Sequence, residues 1–158
     1  MPNVRPFVWL SALSEETVAF YLEAFEGATA SNVVTIDSPD GPSVMMATIS
    51  LPGMDLMLFN GGPFQAPNEA ISFFVDCESQ AEVDRLWDHF RAGGEGGRCG
   101  WVTDPYGVTW QVVPSRLGEL MGGPDPERSN RVRQAMLSMN RLDIAALQAA
   151  YDAEERTE

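Results

Sequence analysis

The side chains that could do chemistry in this chain are few and widely spaced. The 158 residues hold one histidine, His89, and two cysteines, Cys77 and Cys99. A transition-metal centre needs three or four converging ligands, and neither cysteine belongs to a CxxC pair, so no metal site and no cofactor is expected. The cysteines are read as two reduced, partly buried thiols. Asp104, Tyr106, Cys99 and Glu69 could act in acid–base or nucleophilic catalysis, but they form no nucleophile–base–orienter set. Asp104 opens the tetrapeptide Asp104-Pro105-Tyr106-Gly107. An Asp that bonds its own backbone, a Pro that presets φ and a Gly that accepts positive φ together specify a turn. Tyr106 is then an exposed turn residue, and Glu69, beside Asn68, is solvated. The pair Gly61-Gly62 could cradle a phosphate only ahead of a helix N-terminus. A strand follows it instead, so residues 60–68 read as a linker that rims a pocket.

A recognition surface is better supported than a reaction centre. Residues 108–113 alternate, with Val108, Trp110 and Val112 on one face and Thr109, Gln111 and Val113 on the other. Trp110 shares the parity of the valines and is expected in the core. A polar Gln in the middle of such a strand faces solvent or lines a cavity. The same parity places Ile71, Phe73 and Val75 on one face of a strand over 70–75, and Ser72 and Phe74 on the other. Ser72, Phe74, Thr109 and Gln111, rimmed by Asn60 and Trp101, are the expected ligand-binding residues: an apolar floor with a few polar groups to fix orientation. The leading reading is a binding module for a small organic ligand. The alternative is an enzyme acting on a small organic substrate in the same concave pocket. A third reading is an interaction protein whose C-terminal helices use Met121, Met136 and Met139 as an adaptable surface.

The elements that position these residues follow from hydrophobic period and punctuation. Phe7–Leu10 is long enough for a strand. Ser14, followed by Glu15 and Glu16, opens a helix with a Val18, Tyr21, Leu22, Phe25 stripe, and Gly27 ends it. Strands are expected over 32–36, 44–51 and 55–59, with turns at 38–42 and 52–53. Ser79 with Glu82 three residues on is a capping box for a second helix, whose stripe is Val83, Leu86, Trp87 and Phe90. A hairpin over 98–113 completes a second β-α-β arrangement, so the topology repeats although little sequence does. Two one-faced sheets side by side would make a concave surface with helices outside. Asp125-Pro126-Glu127 and Asp143 open two further helices. Their stripes need burial on the same chain or across a dimer, and the sequence leaves both open. Residues 154–158 read as a solvated tail.

Composition limits the partners. Ten basic against twenty-three acidic residues give a net charge of −13, which repels nucleic-acid backbones and anionic membranes. No apolar run approaches the roughly 18 residues of a membrane span, and the first sixteen residues lack a signal peptide's apolar core. A cytoplasmic protein with no nucleic-acid or membrane partner is expected.

Asn60-Gly61-Gly62-Pro63, the run NEAISF over 68–73 with Cys77-Glu78 after it, and GWVTDPYGVTWQVVP over 100–114 carry a resemblance. Together they resemble the PhnB-like branch of the glyoxalase/bleomycin-resistance/dihydroxybiphenyl dioxygenase (vicinal oxygen chelate) superfamily. The tail from Asp125 through Asp143 to Tyr151 resembles that branch's C-terminal extension, so the likeness spans about Pro6 to Tyr151. It implies an α+β fold: paired βαβββ modules forming a curved, half-closed mixed sheet with helices outside, plus a C-terminal helical extension. The expected layout is a single glyoxalase-like domain over 1–158, with module one at 5–60, a linker at 61–68, module two at 69–114 and the extension at 115–154. A further edge strand is expected in 94–97, and a homodimer is the usual unit. The superfamily's divalent-metal ligands come from its first, fourth, fifth and last strands. Here those positions offer Pro6 and Phe7, Asp55, Ala70 and Gln111, which is a poor ligand set for a transition metal. The resemblance therefore implies a metal-independent member. The branch is often labelled as 3-demethylubiquinone-9 3-methyltransferase. A methyltransferase usually has a Gly-rich loop between its first strand and helix, where this chain has Leu13-Ser14-Glu15.

Overall fold

The computed structural model describes residues 2–39 and 41–153. Asp40, within the expected turn at 38–42, and the expected tail over 154–158 lie outside the described residues. The chain divides into two compact units, Met1–Glu69 and Ala70–Glu158.

The first unit runs β1 (Phe7–Leu10), α1 (Glu15–Ala24), β2 (Thr29–Ser38), β3 (Gly41–Leu51) and β4 (Met54–Asn60). Its sheet order is β1-β4-β3-β2, with β1 parallel to β4 and the other pairs antiparallel. Ser14 caps α1 through a reciprocal box with Thr17. The buried stripe of α1 is Thr17, Val18, Tyr21 and Ala24. Leu22 and Phe25, expected in that stripe, are only half-buried, because the axis turns the small Thr17 and Ala24 toward the sheet. Leu10, Ala47, Ile49, Leu56 and Leu58 form the fully buried sheet side of this core.

Strand β2 is longer than the five-residue expectation because its pairing with β3 extends it at both ends. It carries a bulge where Asn32 adopts φ 49°, a left-handed conformation that Asn tolerates better than a branched residue.

The second unit runs β5 (Phe73–Cys77), α2 (Gln80–Arg91), β6 (Glu95–Gly96), β7 (Trp101–Thr103) and β8 (Thr109–Pro114). It is followed by α3 (Ser115–Met121), α4 (Pro126–Leu137) and α5 (Ile144–Asp152). Its sheet order, β5-β8-β7-β6, repeats that of the first unit. The short β6 is the edge strand expected within 94–97. β5 starts three residues later than expected. Its partner β8 begins at Thr109, one residue before the Phe73↔Trp110 pair, so residues 70 and 71 have no strand residue opposite them. Ile71, expected to share a strand face with Phe73 and Val75, lies outside the strand and is exposed.

Helices α3, α4 and α5 pack on this same unit. Leu117, Leu120, Val132, Leu142 and Leu147 form a buried cluster with Val113 of β8, and Met121, Met136, Met139 and Tyr151 pack around it. Burial on the chain itself accounts for the stripes that the sequence left open. No described helix is long and apolar enough to cross a membrane. The whole is an α+β fold of two βαβββ units with a C-terminal helical extension.

Candidate functional site

Strand register decides which side chains share a face. Phe74 of β5, Gln111 of β8 and Trp101 of β7 are direct neighbours across the sheet, and Thr109 pairs with Thr103 in the next row. These residues lie on the face opposite α2. The α2 face holds Trp110, stacked on Phe90 at 4.6 Å between ring centroids and against Phe73 at 5.2 Å. Ser72 immediately precedes β5, and its Oγ accepts a 2.8 Å hydrogen bond from Gln111 Nε2. The four residues singled out by parity thus lie together with one of the two rim residues, Trp101.

Asn60 does not join them. It belongs to the first unit, pairs with Leu10 and has the parity of Leu56 and Leu58 on the α1 side, where its amide donates to the Val44 carbonyl at 3.3 Å.

The polar groups on the Gln111 face are only partly satisfied. Gln111 is half-buried, and beyond its bond to Ser72 its carbonyl oxygen takes no partner among the described residues. Thr109 is 2% exposed, yet its hydroxyl has no hydrogen-bond partner among the described residues. Buried hydroxyls are rarely left so, since an unmade bond costs about 1–3 kcal/mol. Phe74 is 56% exposed, a large apolar ring open to solvent.

Asp104 fixes this face from the turn below. It is buried and accepts from the backbone N–H of Tyr106 at 2.9 Å and of Val108 at 3.0 Å through Oδ1, and from Trp110 Nε1 at 2.9 Å through Oδ2. Gly107 closes the turn at φ 86°. Asp104 is therefore the anchor that sets where β8 begins and which way Thr109 and Gln111 point.

Parity in the first unit also produced a cluster that sequence reasoning missed. Phe7, Trp9 and Phe59 share the face opposite α1, with ring centroids 5.6 Å (Phe7–Phe59) and 5.3 Å (Trp9–Phe59) apart. Trp9 Nε1 donates to the Gly62 carbonyl at 3.3 Å, and a Cβ on Gly61 would sit 1.5 Å from the indole. The close approach of Trp9, not a phosphate, is what Gly61 serves. The alternation of Phe7 and Trp9 in FVWL was the available signal.

The donors for the divalent metal of the vicinal oxygen chelate enzymes do not fit. Asp55 is engaged by Arg5 at 3.3 Å and by the Ser50 hydroxyl at 2.8 Å. Phe7 and Ala70 have no ligating atom, and Gln111 offers only a neutral amide oxygen, a weak ligand for a transition metal. Among the described residues, no three His, Cys, Asp or Glu side chains are placed to hold an ion. The half-buried imidazole of His89 lies against Phe90. Burial, then Glu82 and Asp76, push the Cys77 thiol up to about 11, so it is a poor nucleophile near neutrality.

Comparison with known proteins agrees with this fold. The family model for 3-demethylubiquinone-9 3-methyltransferase matches residues 2–113. A structure titled as a putative 3-demethylubiquinone-9 3-methyltransferase, PhnB protein, from Bacillus cereus superposes with a TM-score of 0.65 at 22% identity, covering 72% of this chain and 100% of that one. Protein PA1353 from Pseudomonas aeruginosa gives 0.61 at 19% identity, covering 72% and 98%. At such identities the likeness establishes the fold. None of the curated proteins matches the chain. With the family match over residues 2–113, the chain belongs to the 3-demethylubiquinone-9 3-methyltransferase family.

Proposed function

We propose that the chain is a metal-independent small-molecule-binding protein, holding a flat, uncharged organic ligand on the strand face opposite α2. The half-buried Gln111 amide, held by Ser72 with its carbonyl oxygen unpartnered among the described residues, carries this reading. A donor group of the ligand would bond that oxygen. Phe74 and Trp101 flank Gln111 in one row and offer ring faces to a planar body. None of Ser72, Phe74, Trp101, Thr109 and Gln111 titrates near neutrality, so the set is equipped to bind rather than to move protons.

The test is a thermal-shift screen of neutral planar aromatics bearing carbonyl or hydroxyl groups, repeated on Gln111→Ala and Trp101→Ala. A compound that raises the parent's Tm should lose most of its shift in both variants. Undiminished shifts in both would overturn the assignment.

The protein works as a homodimer in the cytoplasm. Val33, Val34 and Ile36 stand exposed along β2, whose outer edge is unpaired, and this supports a second copy as partner. The two free thiols suit a reducing compartment. Light scattering after gel filtration should give twice the chain's 17.3 kDa, and a monomer mass at all concentrations would refute the dimer.

A further inference from the structure

The second unit carries a cleft of about 740 Å³ that lies away from the Gln111 face. Its floor is the indole of Trp87 on α2, with Asp88 and Arg91 of the same helix on one side. Edge strand β6 supplies Glu95 and Gly96, and the turn ahead of α5 supplies Asn140 and Arg141. The cleft stays open because residue 96 has no side chain: a Cβ there would lie 3.0 Å from Trp87 Cζ2 and 3.5 Å from Arg91 Cδ.

Its far wall is pinned. Cys99 N–H donates to the Met139 carbonyl and Gly100 N–H to that of Asn140, both at 2.8 Å. The Gln80 amide donates to the Leu142 carbonyl at 3.0 Å and accepts from Ile144 N–H at 2.8 Å. Arg141 is held by Asp84 at 3.3 Å and Asp88 at 3.6 Å. A concavity of this size with a fixed wall is pre-organised for a ligand.

Charge decides the ligand's class. Arg141 is committed to Asp84 and Asp88, whereas the Arg91 guanidinium and the Glu95 carboxylate make no ion pair or hydrogen bond among the described residues. One cation and one anion left uncommitted in the same cleft match a molecule that carries both signs, and they disfavour a simple anion in a chain of net charge −13. We propose that this cleft binds a zwitterionic small molecule of the α-amino-acid class, its carboxylate on Arg91 and its ammonium on Glu95. The guanidinium takes a carboxylate through two parallel bonds, and the Asn140 amide adds a neutral donor and acceptor. Because both charges face solvent, the affinity is modest, with a Kd of ~1 mM.

The test is a titration of the 15N-labelled full chain with the common α-amino acids. Each is compared with its N-acetyl form, which lacks the ammonium, and its carboxamide, which lacks the carboxylate. The signals read are the Gly94 and Gly96 amides and the Trp87 indole N–H. At least one amino acid should give saturable shifts with a Kd below about 10 mM, and both blocked forms should bind at least about tenfold more weakly. Arg91→Gln and Glu95→Gln, at exposed positions that leave the core intact, should each raise Kd about tenfold. No saturable shift, equal binding of the blocked forms, or an unchanged Kd in both variants would overturn the proposal.

Discussion

Replacing Asp104 by alanine should be among the most damaging single changes in the second unit. Its carboxylate is the acceptor for three donors, of which the bonds from Val108 N–H and Trp110 Nε1 are fully buried and that from Tyr106 N–H partly so. A buried donor stranded without an acceptor costs about 1–3 kcal/mol. Two such donors, with a smaller contribution from the hydratable third, give a loss of about 4 kcal/mol. For a chain of this length each 1 kcal/mol moves Tm by about 2–4 °C, so the midpoint should fall by about 8–16 °C. Asp104→Asn keeps one acceptor oxygen but turns an amide N–H toward one of the three donors, and its cost should fall in between. Trp110→Phe removes a donor instead of the acceptor and should cost about 1–2 kcal/mol, mostly in lost packing. Urea denaturation followed by far-UV circular dichroism measures all three. A change within about 0.5 kcal/mol for Asp104→Ala, or equal losses for the Asn and Ala variants, would refute the anchoring role, because surface turn substitutions have effects of that size.

The Cys77 thiol, raised from 9.0 to about 11 in the folded chain, holds its proton more tightly folded than unfolded. Its contribution is complete below pH 9 and is lost as the pH rises toward 11, on the order of 2–3 kcal/mol. Cys77→Ala should flatten the alkaline fall, relative to the parent chain, in a urea titration at stepped pH. In native thiol labelling at pH 8, Cys99 should react well before the buried Cys77. Gly100 holds φ 84° with the Val112 carbonyl 2.6 Å from where a Cβ would be, so Gly100→Ala should cost about 3 kcal/mol or more. Hydrogen exchange should show faster exchange at the Gly100 and Val112 amides, which bond Asn140 and Gly100. Gly61→Ala should swing the Trp9 indole off Gly62, with a shift in tryptophan fluorescence and a loss of about 1–2 kcal/mol.

What was legible in the sequence was what one short stretch specifies by itself. The alternation over 108–113 placed Trp110 in the core and Gln111 on the opposite face. The capping residues Ser14, Ser79, Asp125 and Asp143 each marked a helix start that the structure shows. Helix α3 was missed because it announces nothing: Pro114 precedes it, no side chain caps it, and Gly118 interrupts it. The Gln111–Ser72 bond joins residues 39 apart in the chain, and only the β5–β8 register brings them together. Asn60 shows the same limit from the other side. Its motif looked like a pocket rim, but one step of strand parity turned its amide toward Val44.

The repeated sheet order gives the paired strand positions of one unit counterparts in the other. Trp9 lies five residues before the capping Ser14, and Phe74 five before Ser79, so the row Trp9–Phe59–Met46 corresponds to Phe74–Gln111–Trp101. If the two halves descend from one duplicated ancestor, one copy kept a greasy row and the other acquired an amide at its centre. Each experiment at Gln111 thus has a matched internal reference at Phe59, in the same molecule and at the same topological address.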